Sequence, residues 1–137
     1  MEFKKDSGGI EVSEKKLFQG IAHIGIKAID MDRAAAFYSE VLGFELIERI
    51  KPGDVELIFL KCGETVIELI EVNDQRKFGD GVVNHLALGV KDIFPAVAWL
   101  KDHHVECIDE EPREMEGGRY NFFFRGPSGE KLELFQG

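Results

Sequence analysis

Apolar and polar positions along the chain alternate in short runs that are broken twice by a helical period. Ile24 and Ile26 point one way and His23 and Gly25 the other, which predicts a strand over Ile21–Ala28. Asp30 or Asp32 then caps a helix running to Leu42, with Met31, Ala35, Tyr38, Val41 and Leu42 on one face and Gly43 as the stop. Three strands follow, Phe44–Ile50, Val55–Lys61 and Thr65–Val72, turned by Pro52-Gly53-Asp54 and Cys62-Gly63-Glu64. The polar, aperiodic stretch from Asn73 to Val82 reads as a linker.

The same order then repeats. Val83–Val90 is a strand, Asp92 caps a helix over Ile93–His103, and Pro95 is tolerated in its first turn. Val105–Asp109, Arg119–Arg125 and Glu130–Phe135 are strands, Glu110–Gly118 is a longer loop, and Gly126-Pro127-Ser128-Gly129 is the final turn. His104 occupies the place that Gly43 holds in the first copy, a helix C-terminal position. An internal repeat of this kind sets the architecture. The prediction is an α+β domain over residues 21–137, two βαβββ units (21–72 and 83–136), with residues 1–20 as an arm carrying a short strand over Gly9–Val12.

The repeat also pairs four chemically active residues. His23 and His85 open the first strand of each unit, 62 residues apart, and Glu68 and Glu133 sit on the last strand, 45 and 48 residues later. Alternation puts Glu68 with Val66 and Ile70 opposite Ile67 and Leu69, and Glu133 with Lys131 and Phe135 opposite Leu132 and Leu134. Small residues, Gly25 and Ala87, follow each His by two positions and leave room beside the imidazole. A carboxylate on an apolar strand is seldom buried unless it is paired or bound to a cation. Two His and two Glu at matching positions suit one divalent ion, Ni²⁺, Co²⁺, Zn²⁺, Mn²⁺ or Fe²⁺. The competing explanation is a metal-free cup in which His–Glu pairs satisfy each other.

Composition narrows the class. The 137 residues carry a net charge of −9, which argues against nucleic acid or an anionic membrane as partner, and no apolar run is long enough for a membrane span. Met1–Asp6 lacks a secretory core, and Cys62 and Cys107 lack CxxC spacing, so free thiols and a cytoplasmic location are expected.

The segments HIGI (23–26), FYSEVLGFE (37–45), VIELIE (66–71), NHLALGV (84–90) and GPSGEKLELF (126–135) resemble the vicinal oxygen chelate superfamily, the glyoxalase, bleomycin resistance and dioxygenase proteins. The resemblance covers residues 21–136. It implies eight strands around an open cup, usually within a homodimer, a small-molecule substrate, and a metal held by His23, Glu68, His85 and Glu133. Dioxygenases and fosfomycin-resistance enzymes use two His and one Glu, so Glu68 favours the isomerase and lyase branch. The expected activity is that of a glyoxalase I (lactoylglutathione lyase)-like enzyme working through an enolate or ene-diolate, with Glu68 and Glu133 as catalytic carboxylates. Lys27 stands where glyoxalase I often has an Arg for glutathione, and Lys27 and Asn121 are the expected substrate-binding residues. A methylmalonyl-CoA epimerase-like enzyme is the alternative, and there Glu56 resembles the catalytic base. A non-enzymatic small-molecule-binding or resistance protein is the third reading.

Overall fold

Strict alternation in the central strands separates a face that must meet helices from one that need not. In a computed structural model of the chain, which describes residues 17, 19–73, 79–81 and 83–137, that separation organises two sheets. The elements run β1 (Ile24–Ala28), α1 (Met31–Ala36), a π-helical segment (Phe37–Val41), β2 (Glu45–Ile50), β3 (Leu57–Cys62), β4 (Thr65–Glu71), β5 (Leu86–Gly89), α2 (Ile93–Asp102), β6 (Glu106–Cys107), β7 (Arg113–Met115), a 3-10 turn (Glu116–Gly118), β8 (Arg119–Arg125) and β9 (Lys131–Gln136). The expected arm and its short strand fall on residues 1–20, nearly all outside the described residues.

The first sheet has strand order β1-β4-β3-β2 and the second β5-β9-β8-β6, with β7 also paired to β8. In each, the first strand runs parallel to the last and forms an edge. The α+β class and the tandem repeat are as expected. One difference is that β1 and β5 begin at Ile24 and Leu86, so His23 and His85 stand just before the strands expected to carry them. A second is β7, which lies in the stretch read as a loop and pairs Arg113 with Asn121. A third lies in the first helix, where a π turn replaces the last α turn. Leu42 N–H donates to the Phe37 carbonyl at 3.0 Å, and the Val41 carbonyl accepts from Trp99 Nε1 of α2 at 2.8 Å.

Helix ends follow their caps. Asp30 accepts from Arg33 N–H and Asp92 from Phe94 N–H, while Gly43 (φ 77) and His104 (φ 57) take the left-handed conformation past each helix. His104 therefore has the C-terminal role anticipated for it.

One core gathers Ile58, Leu60, Ile67 and Leu69 under α1, and the other gathers Phe122, Phe124, Leu132 and Leu134 under α2. Phe37 and Leu42 pack against both cores, as do Leu86 and Leu88. A polar tie reinforces this seam. Tyr38, 1% exposed, donates its hydroxyl to Glu130 Oε2 at 2.9 Å, and Ile29 N–H donates to Ser128 Oγ at 3.2 Å. Burial and the adjacent Glu130 carboxylate push the Tyr38 phenol well above its usual pKa. Cys62 and Cys107 are free thiols, and among the described residues no helix is long and apolar enough to cross a membrane.

Candidate metal centre

Parallel pairing of β1 with β4 sets Gly25 beside Glu68, and His23, two residues earlier, brings its imidazole to the same carboxylate. His23 Nε2 lies 3.5 Å from Glu68 Oε1. A Cβ at position 25 would come within 3.1 Å of Ile70 Cδ1 and 3.8 Å of Glu68 Oε1, so glycine here accommodates the Ile70 side chain. The second unit repeats the device. Ala87 pairs with Glu133, and His85 Nε2 lies 3.1 Å from Glu133 Oε1.

Both pairs rest on a phenylalanine that the sequence reading missed. Phe59 is the cross-strand partner of Glu68 and Phe123 that of Glu133, each with its ring edge-on to the neighbouring His at 6.2 and 5.2 Å. Aligning the two copies by their Glu residues would have exposed this match, because both phenylalanines precede a turn and face the carboxylate.

The two pairs differ in their support. Glu133 is buried at 7% exposure, and its second oxygen, Oε2, accepts from Asn121 Nδ2 at 2.9 Å. Asn121 is buried as well and accepts from Arg113 Nε at 3.2 Å, so this residue, expected at the substrate, has its amide committed to Glu133 and Arg113. Arg113 and Lys131 both stand over the Phe123 ring, at 5.5 and 4.9 Å from its centroid. The first pair is more open, with the His23 side chain 48% exposed and Glu68 17%.

The donor set and its spacing fit a divalent ion. Nitrogen and oxygen ligands sit about 2.0–2.2 Å from such an ion, so two neighbouring donors stand about 3.0–3.5 Å apart. Both observed separations, 3.5 and 3.1 Å, fall in that interval. Asn84 Oδ1 lies 2.9 Å from His85 Nδ1, and with Nδ1 donating there, Nε2 turns a lone pair toward the Glu133 carboxylate. In that tautomer Nε2 and the carboxylate are both acceptors and a shared cation suits them; in the other, Nε2–H donates to Glu133 Oε1 and the pair satisfies itself, as in the metal-free cup.

The four side chains were expected to meet at one point. Within one chain they form two pairs, and among the described residues no group of three or more His, Cys, Asp or Glu comes together. Each pair belongs to its own sheet, and β1 and β5 are edges that do not pair with each other. A groove of about 490 Å³ runs between those edges, and Lys27, His85 and Lys131 line it together with Asn84, Ser128 and Glu130.

Glu56 lies elsewhere. Arg49 is the cross-strand partner of Ile58, whose side chain faces the helix side, and it binds both Glu56 oxygens at 3.0 Å and Asp32 at 2.9 Å. Those bonds, Glu56 first and Asp32 second, raise the pKa of the guanidinium further. Glu56 is thus held in an ion-pair network on the face opposite Phe59 and Glu68. This placement runs against the base role expected for it.

Known proteins share this arrangement of sheets. The chain is 37% identical over 121 residues to the uncharacterized protein YwbC of Bacillus subtilis, covering 85% of this chain and 96% of that one. It is 30% identical over 124 residues to a probable lactoylglutathione lyase of Synechocystis, covering 85% and 94%. Among solved structures, the trypanothione-dependent glyoxalase I of Leishmania major superposes with a TM-score of 0.73 at 30% identity, over 87% of each chain. Residues 20–134 match the family model of the Glyoxalase/Bleomycin resistance protein/Dioxygenase superfamily, and with its repeated βαβββ unit and paired His and Glu residues the chain belongs to that superfamily.

Proposed function

We propose that this protein is a metal-dependent isomerase or lyase, glyoxalase I-like in its chemistry, acting on a small carbonyl or thioester substrate through an enolate. The observation that carries this reading is the duplicated His–Glu pair, with donor separations of 3.5 and 3.1 Å at equivalent positions of the repeat. Four donors would complete one centre when the His23–Glu68 pair of one chain faces the His85–Glu133 pair of a second copy. The exposed edges β1 and β5 give the sheets a reason to associate, since unpaired edge strands favour cover. A homodimer with two such centres is the assembly proposed.

His23, Glu68, His85 and Glu133 would hold a divalent ion, which when bound would stabilise the negative charge that develops on a substrate oxygen. The chain's own part is to place a carboxylate at the carbon next to that oxygen. Glu68 or Glu133 takes the α proton and returns it to the neighbouring carbon or to the other face. Phe59 and Phe123 each lay apolar surface against one pair, and Glu133 is the better shielded of the two carboxylates. Lys27, on the groove, is placed to attract an anionic substrate group in a chain whose net charge is −9. Glu56 takes no part, which sets the epimerase-like alternative behind the glyoxalase-like one.

Metal content separates this enzyme from a binding protein with the same cup, which needs no ion. The purified protein is expected to hold about one divalent ion per chain. In D₂O, NMR is expected to show solvent deuterium entering product from methylglyoxal plus a thiol, or, for the alternative, entering methylmalonyl-CoA. A protein that takes up no divalent ion and exchanges no substrate proton refutes the proposal.

A further inference from the structure

The two halves of the centre are not built alike, and the difference lies at one position. We infer that Asn121 is a positioning residue that holds Glu133 as the fixed donor of the centre, and that Arg113 sets the orientation of its amide. The inference rests on the metal-centre reading above.

The geometry runs in one line. Arg113 Nε donates to Asn121 Oδ1 at 3.2 Å, Asn121 Nδ2 donates to Glu133 Oε2 at 2.9 Å, and Glu133 Oε1 lies 3.1 Å from His85 Nε2. The amide has one working orientation. Rotated by half a turn, it would set its oxygen against the Glu133 carboxylate and its N–H groups against the Arg113 N–H. Asp109, 3.7 Å from Arg113 Nε, and the Phe123 ring steady the guanidinium in turn. Asn121 is 5% exposed and Glu133 7%, so water competes little for this bond. One carboxylate oxygen is thereby held by Asn121, and the other faces His85 Nε2.

The first unit lacks this device. Counting from Phe59 as from Phe123, the equivalent of Asn121 is Leu57, which has no donor to offer. Glu68 is also the more exposed of the two carboxylates. The chain therefore pairs a preorganised half, His85 and Glu133, with an adaptable half, His23 and Glu68. A fixed donor favours holding an ion, and an adaptable carboxylate favours moving a proton.

The test uses Asn121→Leu, which reproduces the residue of the first unit, in the full-length protein. Cobalt(II) affinity is measured by competition with a chelating dye, the visible absorption of the bound Co²⁺ is recorded, and metal-free thermal stability serves as the folding control. Groups that orient metal ligands typically contribute 10–100-fold to metal affinity. Asn121→Leu is expected to weaken Co²⁺ binding by about that factor and to alter the absorption while the metal-free protein stays folded. Should the Leu variant fail to fold, exposed Arg113→Met is the second probe, with an expected loss of several-fold. Wild-type protein that binds no Co²⁺ removes the metal reading and this inference with it. Wild-type binding with undiminished affinity in the folded variant, Asn121→Leu or, where that fails, Arg113→Met, overturns the inference alone and leaves the metal centre standing.

Discussion

Gly126 provides the sharpest test of how the two units are held together. The final turn closes with Gly126 N–H donating to the Glu130 carbonyl at 2.9 Å, and the Glu130 side chain folds back over Gly126. A Cβ at position 126 would collide with Glu130 Cδ and sit 2.5 and 2.6 Å from its two oxygens. Gly126→Ala therefore displaces the carboxylate, which now accepts from Tyr38 Oη and from Ser128 N–H, both at 2.9 Å. Tyr38 is 1% exposed, and Glu130 is the partner the fold supplies for its hydroxyl. A hydrogen bond to a charged group contributes about 1.5–3 kcal/mol, and an orphaned buried donor costs about 1–3 kcal/mol. A loss near 3 kcal/mol follows, which at a slope of about 2 kcal/mol/M moves the urea midpoint by about 1.5 M.

The assay is equilibrium urea unfolding of the wild type, Gly126→Ala, Tyr38→Phe and the double variant. Tyr38→Phe removes the same hydroxyl while Glu130 keeps its bond from Ser128 N–H. In its background Gly126→Ala is expected to cost about 1.5 kcal/mol less than in the wild type. Strictly additive costs, or a Gly126→Ala midpoint equal to that of the wild type, would refute the steric and hydrogen-bond argument.

Further outcomes bear on the site and on pH. His23→Ala and His85→Ala are each expected to lose metal, yet mixing the two with subunit exchange should restore about a quarter of the sites, because a mixed dimer of this symmetry has one intact centre; no recovery would place both pairs of a centre in one chain. Glu56→Gln is expected to keep metal and turnover and to change stability by no more than about 1 kcal/mol, as for an exposed ion pair; lost proton exchange with metal retained would revive the two-base epimerase scheme. The Tyr38 phenol has its folded pKa raised, so its contribution to stability is complete below the unfolded value near 10 and declines as pH rises toward the folded one. Melting temperature should therefore fall less between pH 8 and 11 for Tyr38→Phe than for the wild type, and equal falls would remove Tyr38 as the cause.

Local chemistry was legible in the sequence wherever one residue's period or cap decided the outcome. Alternation in Thr65–Glu71 put Ile67 and Leu69 in the core and Glu68 on the other face, and Asp30, Asp92, Gly43 and His104 marked the helix ends. The repeat also put one His and one Glu at matching strand positions in each unit, while the parallel register that sets Gly25 beside Glu68 and Ala87 beside Glu133 came from the structure. What the tertiary structure alone decided depends on contacts between strands distant in sequence. Glu56 looked available as a base until the β2–β3 pairing brought Arg49 and Asp32 to it. Asn121 became the partner of Glu133 only when β8 met β9, and Arg113 reached that amide only through β7, which has too little periodicity to be read as a strand. Whether the four donors meet was beyond the sequence for the same reason. Alternation fixes the face a side chain takes on its own sheet, but the distance between two sheets is set by what packs between them, here Phe37, Leu42, Leu86 and Leu88 with the Tyr38–Glu130 bond, and these hold the two His–Glu pairs apart within one chain.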